Sequence, residues 1–308
     1  DDCRRRLQAC PNVTILHGHV ERIDSSDADG AVLHVDGRRH RARWVFDSRW
    51  QAARPQIDRA DTLVQRFVGW EIVLDEPRLD PTAARLFDFR GDTETARFHY
   101  VLPFSDRQGL FELVTFGAAA HASDLAAYIA EVLPGARYRV IRREGGASLL
   151  TTGRFVRQLG PRHIAIGVAG GLLRASTGYA LTRILADTRG LVRALEADRP
   201  PLSNVRPGRI YGLFDGVLLR LAATRGDLLP RVFSALFANN PIERVLRFLD
   251  ERARLRDFVG LIFGMPKRPF LRALASWVGL RLGWVRPVHA AFPTPSTTKR
   301  IAGRTATS

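Results

Sequence analysis

Residues 164–179 read Ile-Ala-Ile-Gly-Val-Ala-Gly-Gly-Leu-Leu-Arg-Ala-Ser-Thr-Gly-Tyr. A short β-rich run, His163–Val168, breaks into a glycine turn and is followed by a potential helix cap at Ser176 or Thr177. The next stretch carries Leu181, Ile184, Leu185, Thr188, Leu191 and Leu195 at helical spacing, which predicts a helix from about Gly178 to Ala197, ended by Pro200-Pro201. Strand, glycine turn and helix in that order argue for an α/β unit. Gly167, Gly170 and Gly171 let a ligand approach the backbone, and a helix start offers N–H groups to a pyrophosphate or a flavin carbonyl. Tight strand-to-helix packing demands glycine as well, so both uses stay open.

Upstream the texture is all strand. Val13–Leu16, His19–Ile23, Ala31–Val35 and Arg41–Phe46 are short, with Asp36-Gly37 as a hairpin signal. Longer strands are predicted at Thr62–Leu74, Ala84–Phe89, Thr95–Leu102 and Gly109–Phe116. In the third, Phe98, Tyr100 and Leu102 alternate with Arg97, His99 and Val101, which predicts a sheet with one buried face. Ser123 caps a helix to Val132, and Tyr138–Glu144 reads as another strand. Downstream, helices are predicted at about 210–223, 229–238, 241–254, 257–264 and 269–283, punctuated by prolines.

The 308 residues, 45% apolar and 25% charged, describe a globular protein of about two domains or one large one. Cys3 and Cys10 are the only cysteines, which excludes a disulfide framework and a four-cysteine zinc site. His17 and His19 have no third ligand near them in the sequence, so no metal is expected. No window is apolar enough for a membrane span. The chain begins at Asp1, without an initiator Met or a visible leader.

The net charge of +16 is carried almost wholly by arginine, with Lys267 and Lys299 the only lysines. Residues 241–308 hold 13 basic side chains against four acids. These cations are interleaved with Phe258, Phe263, Phe270, Trp277 and Trp284, a pattern suited to an anionic lipid surface or to a solvated helical cap. No helix-turn-helix, RNP or zinc pattern accompanies the charge, so nucleic acid is not expected as a partner.

Carboxylates on predicted strands are the candidates for chemistry. Glu71 in GWEI, Asp88 in FDFR and Glu112 in LFEL sit between apolar neighbours, where a charge is costly unless paired or functional. Burial raises a carboxyl pKa and makes an acid of it, whereas an arginine such as Arg90 or Arg97 makes an ion pair.

FDSR at 46–49, QRFVGWEI at 65–72, FDFR at 87–90, FHYVLPFS at 98–105, LFELVTF at 110–116, IGVAGG at 166–171, STGY at 176–179, LFANNP at 236–241, RVLRFLD at 244–250 and MPKRPFLRAL at 265–274 occur in this order. In that order and length they resemble the bacterial lycopene β-cyclases over about residues 40 to 283. The departures are Val114, Ala175 and Ser148-Leu149-Leu150 where that family has Thr, Pro and I-P-M.

The resemblance implies an α/β, partly α+β, aromatic-hydroxylase-like FAD-binding fold, with an antiparallel-sheet substrate domain and a helical C-terminal region. It implies a division into 1–50 as a remainder of the FAD-binding domain, 51–150 as the substrate sheet, 151–200 as an FAD-binding strand-turn-helix, 201–286 as a membrane-facing helical region and 287–308 as a disordered tail. The G-x-G-x-x-G unit of such folds is absent from the sequence, which reads as though it begins after that unit.

By resemblance the reaction is proton-initiated cyclisation of lycopene to γ- or β-carotene without net redox. Glu112 would be the acid, with Glu71 and the Asp88/Arg90 pair next in line, and Trp70, Phe89, Phe98 and Tyr100 would wall the polyene. Asp47, Arg49, Gly167, Ala169, Gly170, Gly171, Ser176, Thr177 and Gly178 would meet reduced FAD, with NAD(P)H as reductant. The implied partners are lycopene, a membrane surface and other carotenoid-pathway enzymes, on the cytoplasmic face of the inner membrane. A redox relative, an isoprenoid reductase or monooxygenase, and an inactive carotenoid-binding fragment are the alternatives.

Overall fold

A computed structural model describes residues 2–53, 55–57, 60–90, 96–202 and 208–289. The chain begins with helix α1 (Asp2–Gln8), then strands β1 (Val20–Ser26), β2 (Gly30–Val35), β3 (Arg38–Ala42), β4 (Val45–Asp47) and β5 (Pro55–Gln56). Next come β6 (Thr62–Leu74), β7 (Arg85–Asp88), β8 (Arg97–Pro103), β9 (Gln108–Phe116), helix α2 (Ala122–Val132) and β10 (Tyr138–Thr151). Short strands β11 (Arg154–Phe155), β12 (Gln158–Gly160) and β13 (His163–Ala165) lead to helix α3 (Leu181–Glu196). Five helices close the chain: α4 (Arg209–Arg225), α5 (Leu229–Ala238), α6 (Ile242–Leu249), α7 (Leu255–Gly264) and α8 (Lys267–Arg281).

The chain divides into two compact units, one made of Asp1–Gln56, Arg154–Leu172 and Ala180–Val205, the other of Ile57–Gly153, Leu173–Tyr179 and Arg206–Ser308. The predicted tail at 287–308 lies outside the described residues from 290 onward.

In the first unit β1, β2 and β3 form an antiparallel meander. Asp36 and Gly37 both take positive φ, 47° and 74°, as the hairpin signal requires. β13 pairs in parallel with β4 and antiparallel with β12. The predicted strand at Val13–Leu16 is irregular chain. α3 is rotated away from expectation: Arg183, Asp187, Leu191 and Ala194 are buried, while Leu181, Leu185 and Leu195 are exposed. The cause is polar. Arg157 donates from both terminal nitrogens to the buried Asp187 carboxylate, at 2.7 and 2.8 Å, and this bidentate pair fixes which face turns inward.

In the second unit a five-stranded antiparallel sheet has the order β10-β6-β9-β8-β7. The alternation along β8 predicted one buried face, but both are covered, and Phe98, His99 and Val101 are all buried. On one side Ile72, Val101, Phe111 and Leu113 pack against Leu125, Tyr128 and Ile129 of α2. On the other, Phe87, Phe89 and Phe116 pack against the core that Val217, Val232, Phe233 and Leu236 form within α4 and α5. The second cover comes from residues more than a hundred positions downstream, which periodicity within β8 does not report.

Candidate active site

Register determines which residues of the sheet share a face. Tyr100 of β8 is opposite Glu112 of β9, Glu112 is opposite Gly69 of β6, and Gly69 is opposite Glu144 of β10. Directly paired residues project to the same side, so this row crosses four strands on the face away from α2. At its centre glycine is required. A Cβ on Gly69 would fall 2.9 Å from Cγ and 3.1 Å from Oε1 of Glu144, so that side chain lies over the bare glycine. It thereby reaches the Glu112 carboxyl, with which it shares a hydrogen bond.

Two carboxylates sharing a hydrogen bond need one proton between them. Burial, and then the Glu144 charge, push the Glu112 carboxyl up to about 7, so Glu112 keeps its proton below neutrality and is about half protonated near pH 7. One cation serves the other two acids of this face. Arg142 donates to Glu144 Oε2 at 2.7 Å and to Glu71 Oε2 at 2.8 Å, and Gln108 Nε2 donates to Glu71 Oε1 at 2.6 Å. The Arg142 and Gln108 bonds hold Glu71 below its usual range, so it is an anchored anion rather than an acid. Glu112 has no ion pair among the described residues, and it alone of the three is set up to release a proton.

Beside it the Tyr100 hydroxyl, pushed far up by burial and by Tyr179, stays protonated and lies 3.4 Å from the Tyr179 hydroxyl. Phe98 lies edge-on to Tyr100 with centroids 5.0 Å apart, and Phe89 lies 5.9 Å from Phe98. Phe87 stacks on Phe233 of α5 at 4.5 Å and also meets Phe98, Tyr100 and Phe237. Phe87 has φ +59°, in the left-handed region that a bulky residue rarely occupies, so surrounding packing must hold it there.

Some expected residues are elsewhere. Trp70 is opposite Phe111 and packs toward α2, with the Arg143 guanidinium 5.1 Å over its ring. It lies on the reverse face from Glu112, because its neighbour Gly69 is the residue in the carboxylate row. Asp88 is opposite His99 on that same reverse face, where it accepts from the Tyr128 hydroxyl at 3.0 Å. Arg90 bridges Asp88 and Glu131 of α2. That pair fastens the helix to the sheet edge, far from the acid in register.

Among expected cofactor residues, Asp47 is nearly fully buried and accepts from the Arg49 backbone and side chain and from His163. Burial opposes its ionisation, yet these hydrogen bonds hold its pKa below the usual value. Arg49 also donates to the Val20 carbonyl, using three of its five N–H groups within the unit. The three residues brace β4 against β13 and β1, and the buried Asp47 carboxylate is taken up by this network.

The glycine turn is used differently from expectation. A Cβ on Gly170 would meet the Ala165 carbonyl oxygen at 2.7 Å, and one on Gly171 would meet the Phe155 ring at 2.7 Å, so both are glycine for packing. The N–H groups of Gly170, Gly171 and Leu172 close the turn internally. In contrast, the N–H groups of Gly167, Val168 and Ala169 have no hydrogen-bond partner among the described residues. Gly167 has φ +61° with open space where a side chain would be. Three adjacent free donors beside an open glycine fit an oxyanion or a ring carbonyl.

The predicted cap at 176–177 fails. α3 starts at Leu181, and Ser176 instead donates to Asp215 of α4 at 2.6 Å. Arg174, buried, donates to the same carboxylate and to the Phe248 and Leu249 carbonyls. The Thr177 hydroxyl accepts from the Tyr179 N–H, and a Cβ on Gly178 would fall 2.2 Å from Oε1 of Gln65. The 174–179 turn is thus tied to α4 and the sheet, and it carries Tyr179 to Tyr100.

Glu144 was missed from sequence. Its signal was Gly145-Gly146 inside a strand, since strand glycines mark close approach; the Phe67 ring lies 3.0 Å from where a Gly146 Cβ would be.

A family model described as lycopene cyclase protein matches residues 3–275. No curated protein matches the chain. Among solved structures, the lathipeptide tryptophan 5-halogenase MibH superposes with TM-score 0.50 at 15% identity, over 93% of this chain and 62% of that one. A geranylgeranyl bacteriochlorophyll reductase-like protein from Thermoplasma acidophilum gives 0.47 at 13% identity, over 84% and 68%. A flavin-dependent halogenase from Xanthomonas campestris gives 0.44 at 14% identity, over 91% and 66%. The chain thus spans 62–68% of the length of these structures. The likeness to MibH is one of fold: mixed α/β, an antiparallel sheet and a helical C-terminal region.

Proposed function

This chain belongs to the lycopene cyclase family, and from that premise we propose that it is a lycopene β-cyclase in which Glu112 is the acid. The observation that carries the proposal is the carboxyl pair across Gly69, with Glu112 pushed up to about 7 by burial and by Glu144.

Protonated Glu112 transfers its proton to the terminal C1=C2 bond of lycopene, leaving a tertiary cation. The C5=C6 bond closes on that cation, and loss of the C6 proton leaves a β-ionone ring, so atoms and electrons balance without an oxidant. Once ionised, Glu112 faces the Glu144 carboxylate, and their repulsion favours its taking up a proton again. Arg142 holds Glu144 in place through its 2.7 Å bond. Tyr100, next to Glu112 in register, and Phe87 and Phe98 beside it offer π-faces to the passing cation.

FAD is the proposed cofactor, with NAD(P)H as its reductant, and the free N–H groups of Gly167, Val168 and Ala169 are the residues suited to hold it. When bound and reduced, the flavin would supply a negatively charged ring system. The enzyme is proposed to work peripherally on the cytoplasmic face of the inner membrane; among the described residues no helix is long and apolar enough to cross one.

Expression of the parent gene in a lycopene-accumulating bacterium, with pigments separated by chromatography, tests the proposal. Conversion to γ- or β-carotene is expected. Unchanged lycopene alongside accumulated protein would refute it.

A second prediction concerns Glu144. Glu144→Gln removes the negative neighbour, so the Glu112 pKa falls from about 7. The pH above which cyclisation fades then moves down, because the acid form is lost earlier. A pH–rate profile identical to wild type would exclude coupling between the two.

A further inference from the structure

Away from the carboxylate row, a cleft of ≈ 650 Å³ opens where α4, α5 and the start of α8 meet, bordered by Arg225, Arg231, Lys267, Arg268 and Arg272. No acid lines it. Arg225 is neutralised by Asp227, whereas Arg231, Lys267, Arg268 and Arg272 are exposed and have no carboxylate partner among the described residues. Four unpaired cations around one cleft repel one another unless an anion joins them. The floor is apolar, with Leu228 and Ala273 among its residues.

Next to this cleft α7 leaves an apolar stripe uncovered. Leu255, Val259, Ile262 and Phe263 recur at helical spacing and are all exposed, Leu255 by 77% and Phe263 by 71%. The stripe runs into the cleft, since the Lys267 ammonium lies 5.6 Å from the Phe263 ring centroid. A soluble phosphate compound would use the cations but leave the stripe in water. An apolar protein partner would use the stripe but leave the cations unpaired. A bilayer carrying anionic phospholipid satisfies both, with phosphate in the cleft and acyl chains against the stripe.

The geometry points to a membrane-docking face in which Arg231, Lys267, Arg268 and Arg272 take the phosphate of an anionic phospholipid while Leu255, Val259, Ile262 and Phe263 enter the acyl region. This face rests on the peripheral membrane location proposed above and deepens it by naming the residues and the lipid class; the proposed cyclisation itself does not depend on it. Binding to vesicles without lycopene reads the face alone.

The experiment is co-sedimentation of the full chain with phosphatidylglycerol-containing vesicles and with pure phosphatidylcholine vesicles at physiological ionic strength. Binding to the first and not the second is expected. Each basic residue near an anionic surface contributes a factor of about 5, so Lys267→Gln/Arg268→Gln/Arg272→Gln weakens binding roughly a hundredfold. Ile262→Ser/Phe263→Ser is expected to weaken the binding that survives high salt, where charge is screened. All five positions are exposed or border the cleft, and a circular dichroism spectrum matching wild type keeps the comparison valid. Equal binding to both vesicles, or an unaffected triple variant, overturns the assignment. Calorimetric binding of inorganic phosphate without vesicle binding identifies a soluble phosphate ligand and also overturns it.

Discussion

Glu112→Gln is expected to lower lycopene conversion by about 10²- to 10⁴-fold, the range that a positioned general acid contributes. Gln keeps the shape of the row Tyr100–Glu112–Gly69–Glu144 but has no acidic proton to give. A separate readout distinguishes loss of the acid from loss of the fold. The Glu112 carboxyl rises on folding from 4.5 to about 7, so the native state holds its proton more tightly than the unfolded chain. That group therefore adds stability that is fully present below pH 4.5 and is lost as pH rises through about 7. Gln does not ionise, so between pH 5 and pH 8 the melting temperature of the variant should gain on wild type. Curves that stay parallel across that interval would mean that Glu112 titrates as an ordinary carboxylate, and the acid would have to be sought elsewhere.

The largest expected loss of stability follows Asp215→Ala. Arg174 and Asp215 are both buried, 2.9 Å apart, and Arg174 lies 4.7 Å over the Phe248 ring. Removing Asp215 takes away the closer of the two carboxylates at the buried Arg174 guanidinium, leaving only Glu251 at 3.9 Å, which costs about 3 kcal/mol, the low end for a broken buried pair. For a unit of this size that lowers the melting temperature by roughly 10 °C. Ser176 loses its acceptor at the same time, so the turn that brings Tyr179 to Tyr100 loosens. Arg174→Met/Asp215→Leu replaces the pair with apolar groups and is expected to recover much of the loss, although the Ser176 bond stays lost. A melting temperature for Asp215→Ala within 2 °C of wild type would show the pair to be solvated rather than buried.

Local pattern and position in the fold contributed differently to these expectations. β6 was legible from end to end because Thr62–Leu74 is a long β-rich run, and α5 because Pro230 starts it and Asn239-Asn240-Pro241 stops it. The start of α3 was not legible. Ser176 looks like a cap in isolation, and the acceptor that claims its hydroxyl is 39 positions away. Asp88 and Glu112 look alike as acids between apolar strand neighbours, yet one meets a tyrosine and an arginine, and the other only a second carboxyl.

By itself the sequence determined that this is a mixed α/β chain with an antiparallel sheet and a helical end, and its ordered motifs pointed to the lycopene cyclase family. It also marked Glu112 as a candidate acid. Tertiary structure alone decided that Glu144 reaches Glu112 over Gly69, that Trp70 faces away, and that Asp47 is buried against Arg49 and His163. The difference is physical. Periodicity and turn chemistry act over a few residues and are written locally, whereas a raised carboxyl pKa or a free N–H depends on register and burial, which are set by partners distant along the chain.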